Sequence, residues 1–92
     1  MNPKEILIKQ KVELAIKQLK QVKFDYVKVD LEITRDRVVN PYQLHENKKG
    51  DLIGFYGIDI AKAGWRLFRF EGIQNLQILD TSFEKDDANS NR

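Results

Sequence analysis

The chain has 92 residues, 16 basic against 14 acidic, with a net charge of +2, one histidine and no cysteine. That length fits one domain of roughly 100 residues; the missing cysteines exclude a disulfide framework, and a lone histidine excludes the usual zinc sets, so no metal or cofactor is expected. No apolar run approaches the ~20 residues of a membrane span and no signal-peptide core opens the chain, so a soluble, cytoplasmic protein with no membrane partner is expected.

Asn2-Pro3-Lys4-Glu5 reads as a helix start: Asn2 caps, Pro3 suits the first helical position, and Glu5 stands where a capping-box acid reaches back. Ile8, Val12, Ala15, Leu19 and Val22 then recur at spacings of 4, 3, 4 and 3, with Ile16 widening the stripe. Lys9, Glu13, Lys17 and Lys20 take the opposite face. The pattern predicts a helix over about 3–20. A helix this short does not hold itself in water, so its stripe must seal a sheet. Leu7 and Leu14 lie about 110° from the stripe. They are either one flank of a broad core face or a second surface, for a homodimer or a larger protein partner.

Short β-branched and aromatic runs follow. Val22, Phe24 and Tyr26 alternate with Lys23 and Asp25, and then the apolar parity switches at Tyr26–Val27. That switch implies a bulge or a tight turn near Lys28–Asp30. Strands are expected at 22–28 and 31–39. Pro41, which cannot donate to a ladder, ends the second strand or marks an edge. Tyr42–Glu46 is a short extended piece and Asn47-Lys48-Lys49-Gly50-Asp51 a hairpin tip. Further strands are expected at 52–61, 65–70 and 76–79, with a turn at Lys62-Ala63-Gly64. Residues 85–92 carry no apolar side chain and are expected to be a disordered tail. The fold class expected is α+β: an N-terminal helix packed on a small five-stranded antiparallel barrel, SH3/Sm-like, over residues 1–84.

Charge is unevenly spread. Residues 1–23 carry six lysines and two acids, whereas residues 24–83 carry eight basic and nine acidic side chains. The strands are therefore near neutral, and anion binding there requires local gathering of cations. No nucleophile elbow, phosphate-cradling glycine loop or histidine–carboxylate pair appears, which points away from an enzyme. His45 reads as a surface residue. Asp59, inside an apolar run, is expected to face solvent or to cap a neighbouring turn. Arg35 and Arg37 share strand parity, which puts them on one face about 7 Å apart. Arg66, Phe68 and Phe70 share a second face, and Trp65, Leu67 and Arg69 the other, as in a strand covered on both sides. Such arginines either lay their stems on aromatic surface or line a groove in which guanidinium forks hold phosphate and an aromatic ring stacks on a base. Tyr42, Tyr56 and Trp65 are the rings available.

The run V-K-F-D-Y, then R-V-V-N-P-Y-Q-L, G-F-Y-G-I-D and W-R-L-F-R-F-E-G-I-Q-N-L, behind the helix V-E-L-A-I-K-Q, resembles a WYL domain over about residues 10–83. The resemblance implies a helix on an SH3/Sm-like barrel, serving as the sensory part of bacterial regulators of transcription and defence, with a nucleic acid or nucleotide-like anion as ligand. The family's R-x-x-x-P-x-x-L falls on Arg37, Pro41 and Leu44, and its name-giving tripeptide on Phe55-Tyr56-Gly57. A later R-x-F-R-x-[DE]-R-I falls on Arg66, Phe68, Arg69, Glu71, Gly72 and Ile73, with glycine at the last basic position. The resemblance implies ligand contacts at Arg37, Tyr42, Tyr56, Arg66 and Arg69. No helix-turn-helix precedes the strands, so a stand-alone WYL-like module is expected.

Overall fold

The computed structural model describes residues 2–84; the expected tail at 85–92 lies outside them. Helix α1 (Pro3–Gln18) leads into β1 (Lys20–Val27), β2 (Ile33–Glu46), β3 (Leu52–Asp59), β4 (Gly64–Arg69), a 3-10 turn (Phe70–Gly72) and β5 (Ile73–Ser82). The helix starts as its sequence dictates. The Asn2 carboxamide oxygen accepts from the Glu5 N–H at 2.9 Å, and its Nδ2 donates to the Glu5 carboxylate at 3.0 Å. It stops two residues short of the expected end because Leu19 takes a left-handed conformation, φ 54°, closing the last turn onto Ala15 and Ile16.

All strands pair antiparallel in one sheet of order β4-β3-β2-β1-β5. One helix and five antiparallel strands are as expected. Closure of the barrel by hydrogen bonds is not found, because β4 and β5 occupy the two edges with no ladder between them. The stripe residues Ile8, Val12 and Ala15 seal a core of Val22, Phe24, Val39, Phe55, Phe68, Phe70, Ile73 and Leu76. Each fully buried Phe or Val contributes about 1.5–3 kcal/mol of transfer free energy. Phe24 meets Phe68 edge-on at 5.0 Å between ring centroids, and Phe55 at 6.0 Å. No helix among the described residues is long and apolar enough to cross a membrane.

Strand β2 runs straight through Pro41, where the sequence suggested an end. Its ladder with β1 stops at Val39, and its register with β3 shifts between Pro41 and Gln43, so a missing N–H is tolerated there. The turn near Lys28–Asp30 is present, closed by Lys28 N–H to the Glu32 carbonyl at 2.9 Å.

Two of the sheet's register shifts lie together at Asp25. The register of β1 shifts against β2 between Phe24 and Tyr26, and against β5 between Lys23 and Asp25. Each neighbouring strand contributes one left-handed residue there, Asp36 (φ 55°) and Asn75 (φ 56°). The Asp25 carboxylate ties both bulges down. It accepts from Asn75 Nδ2 at 2.9 Å, from the Asp36 backbone N–H at 3.0 Å, and from Arg35 Nη1 at 3.5 Å. The bend corrects the expectation that Arg35 and Arg37 share a face: the extra residue turns Arg35 to Asp25 and leaves Arg37 opposite Phe24, on the core side. It also brings the end of β4 over β1, where the Tyr26 hydroxyl accepts the Arg69 N–H at 3.0 Å.

The Asn75 amide first, then the Asp36 N–H, hold the Asp25 carboxyl below its ordinary value of 3.8, with Arg35 and Lys23 adding to the shift and partial burial opposing it. A depressed carboxylate stabilises the fold fully above its unfolded value and ceases to do so as pH falls through the lower folded value. Asp25→Asn is therefore expected to lower stability at neutral pH and to flatten the loss of stability in acid. Urea midpoints measured over an acid series check this, and an unchanged acid slope would count against the bulge lock.

Candidate anion-binding site

Strands β2 and β3 meet in a buried ion pair. Arg37 Nε lies 3.2 Å from Asp59 Oδ2, with side-chain exposures of 10% and 2%. The Arg37 guanidinium carbon lies 5.2 Å from the Phe68 ring centroid and 6.0 Å from that of Tyr26. Asp59 was expected at the surface or as a turn cap. It is buried, which corrects the first alternative, and it does cap: Oδ1 accepts from the N–H groups of Ala61 (3.1 Å) and Lys62 (3.4 Å). Among the described residues its Oδ2 has no hydrogen bond and is met by the Arg37 charge.

Above this pair opens a hollow of about 190 Å³ lined by Tyr26, Lys28, Arg37, Lys62, Arg66, Leu67 and Phe68. Four of those seven carry positive charge and none is acidic. Lys28 pairs with Glu32 at 3.2 Å and Arg37 with Asp59; Lys62 and Arg66 have no ion-pair partner among the described residues. Arg37 meets Asp59 through Nε, and its remaining N–H groups, at the floor of the hollow, have no partner among the described residues. Local folding puts each cation in place. Arg66 pairs with Gly57 across β3–β4 and so falls on the same face as Phe68. Lys62 rides on the turn that Asp59 caps, and Lys28 follows β1 into the hairpin turn. Cations of this kind around aromatic walls, with no acid among them, can hold an oxyanion.

Of the arginines singled out in the sequence, Arg37 and Arg66 come together here. Arg35 is spent on Asp25, and Arg69 lines other hollows, one with Glu5, Asn47, Ile53 and Glu71. Tyr42 and Tyr56 are not at this site. Tyr56 packs edge-on to His45 at 5.1 Å and Tyr42 to Trp65 at 4.8 Å, on the opposite face of the sheet. Trp65, 59% exposed, shows that this face is uncovered, contrary to a strand buried on both sides. Lys28, Lys62 and Tyr26 escaped the sequence reading because two sit in turns and the third in an alternating core strand. Gly72, where the resemblance placed a basic side chain in the family, is packed. A Cβ there would meet the Val27 carbonyl oxygen at 2.5 Å and Tyr26 Cε1 at 2.9 Å.

Removing one partner of a buried pair strands the other charge. Arg37→Met is expected to cost about 3 kcal/mol or more, and the double change Arg37→Met with Asp59→Asn considerably less. Urea unfolding of both single variants and of the double variant measures the coupling, and a double loss equal to the sum of the two single losses would show that the pair is not coupled.

Comparisons with known proteins agree with this architecture. The family model of the WYL domain matches residues 8–78. Among solved structures, the chain is similar to the proteasome accessory factor B/C (PafBC) of Arthrobacter aurescens, with a TM-score of 0.79 and 21% sequence identity. The likeness covers 96% of this chain and 13% of that one, so the chain spans a small part of that protein's length. No match was found among the curated proteins.

Proposed function

The chain belongs to the WYL domain family, and we propose that it is a non-enzymatic regulatory module that senses a phosphate-bearing ligand, a nucleic acid or a nucleotide, in a bacterial regulatory or defence setting. The observation that carries this reading is the acid-free hollow in which Lys62 and Arg66, without an ion-pair partner among the described residues, stand beside the guanidinium of Arg37. The chain as a whole is nearly neutral, so affinity has to come from this local gathering rather than from a general field. We read the curled sheet as an SH3/Sm-like barrel left open between β4 and β5, its open end offering the hollow. Ligand contacts are assigned to Lys62 and Arg66, with Lys28 beside them. Arg37 forms the floor, and Tyr42, Tyr56 and Arg69 stand outside this hollow.

Fluorescence anisotropy with short labelled single-stranded DNA and RNA tests the reading. Three phosphate contacts give a salt slope of about −0.7 per contact, so a fourfold rise in salt should weaken binding by roughly 20-fold. Lys62→Ala with Arg66→Ala, both exposed, should remove most of the binding without unfolding the chain. Binding absent at low salt, or indifferent to the double change, would sink the proposal.

A second reading is favoured by one feature of α1. Leu7 is 53% exposed, Leu14 46% and Ile6 41%, which places them off the core side of the helix. On this reading the helix docks on a second copy or on a larger protein. Sedimentation of the wild type against Leu7→Glu with Leu14→Glu should show an associated species only in the former; a wild type that is already monomeric removes the case for a homodimer.

A further inference from the structure

Strand β4 is one edge of the sheet, paired with β3 on one side and with no strand on the other among the described residues. One contact tells which of its backbone groups face the open side. The Arg69 N–H turns away from β3 and donates to the Tyr26 hydroxyl at 3.0 Å. The β3–β4 register runs from Gly54–Arg69 to Asp59–Gly64 without a shift, so Trp65 and Leu67 point their N–H and C=O groups the same way as Arg69. Gly64, Arg66 and Phe68 are left to bond β3. Tyr26 occupies the Arg69 N–H, whereas the outward groups of Trp65 and Leu67 have no backbone partner among the described residues.

The side chains along this edge are sorted too. Trp65 and Leu67, 59% and 37% exposed, lie on the outer face, and Arg66 shares the inner face with the buried Phe68. There the edge borders the basic hollow, which Arg66, Leu67 and Phe68 help to line. Sheet edges are commonly blunted by a proline, a bulge or an inward-pointing charge. Strand β4 has no proline and no register shift, so Arg66 is its one such device. It works against a second copy of the chain. With the Arg69 N–H spent, two β4 edges pair antiparallel through Trp65 and Leu67 only if each Arg66 stands opposite its own copy, and like charges so placed repel. Towards an acidic strand the same arginine is attractive.

We infer that the open edge of β4 takes up an extended segment of a partner protein in which acidic and apolar residues alternate. Segment residues opposite Trp65 and Leu67 exchange hydrogen bonds with them and lay apolar side chains beside theirs on the outer face. The residues in between point inward and bring carboxylates to Arg66 and Lys62, the two cations of the hollow with no ion-pair partner among the described residues. Main-chain bonds then supply affinity and the alternating side chains supply selectivity. The inference goes beyond the anion reading and does not depend on it. Because both ligands use Lys62 and Arg66, each excludes the other.

Fluorescence anisotropy of the whole chain with a labelled, end-capped hexapeptide of alternating glutamate and valine tests this. That peptide should bind, and its lysine–valine counterpart should not. Two N-methylated forms of the acidic peptide probe the ladder, since each methyl deletes a donor and leaves the charge unchanged. Methyl groups on the valines, whose N–H groups face β4, should weaken binding roughly tenfold or more, about the loss of one hydrogen bond. Methyl groups on the glutamates, whose N–H groups face away, should leave it nearly unchanged. Leu67→Pro removes the matching donor from β4, on the side where an edge strand tolerates proline, and should weaken binding likewise; if that variant does not fold, the methylated peptides decide alone. Equal losses from the two methylation patterns, no binding of the acidic peptide, or equal binding of the lysine peptide would overturn the inference. So would self-association of the free chain that Leu67→Pro abolishes, which would give the edge to a second copy. The peptide results stand whether or not oligonucleotides bind, so the two readings fail separately.

Discussion

The contact between Arg37 and Asp59 is the constraint on which the site depends. Two charges leave water to make it, and a pair so deeply buried is a poor source of net stability, because desolvation offsets much of the attraction. What it supplies is position. Asp59 spends one oxygen on the N–H groups of the β3–β4 turn and the other on Arg37. The turn that carries Lys62 and the strand that carries Arg37 are therefore fixed to each other through one carboxylate. Arg37 in turn lies over Phe68 and Tyr26, so the floor of the hollow is also the last layer of the aromatic core. The fold and the site share these atoms.

That arrangement also sorts the cations by task. Arg37 is nine-tenths buried and already committed through Nε, so its charge is largely balanced before any ligand arrives. Lys62 and Arg66 are exposed and unbalanced among the described residues, which gives them the excess charge an anion would meet. Four cations line this hollow, and Glu32 and Asp59 balance two of them, Lys28 and Arg37.

How much of this the sequence disclosed depends on the range of the interaction involved. The helix and its cap were legible because Asn2, Pro3, Glu5 and the stripe from Ile8 to Ala15 interact within a few residues of one another. The strands and the turn near Lys28 were legible for the same reason. Face assignments failed where a bulge intervened. Arg35 and Arg37 have the same parity in the sequence, but Asp36 adds a residue to the strand and sends them to opposite partners. Nothing local to Asp36 announces that bulge; it is stabilised by Asp25, eleven positions earlier, acting together with Asn75, which lies fifty positions after Asp25. The burial of Asp59 was hidden likewise, since its partner Arg37 lies on another strand. Lys28 and Lys62 looked like turn residues and are turn residues. Their meeting above Arg37 exists only once the sheet has curled.

The curl is therefore what converts a near-neutral chain into one with a basic hollow. Asp25 bends β2 and β5 about β1, and Tyr26, the next residue, takes the Arg69 N–H across the bend. Gly72 lets the following turn close on Val27 and on that same tyrosine ring. Tyr26 thus lines both the basic hollow and the hollow beside Gly72. A side chain at position 72 would have to displace Val27 or Tyr26 to be seated, so a basic residue could be added there only by moving the wall itself. With glycine in that place the chain gives up one cation and keeps the apolar recess behind the tyrosine. The charge it lacks and the cavity it has are consequences of the same close contact.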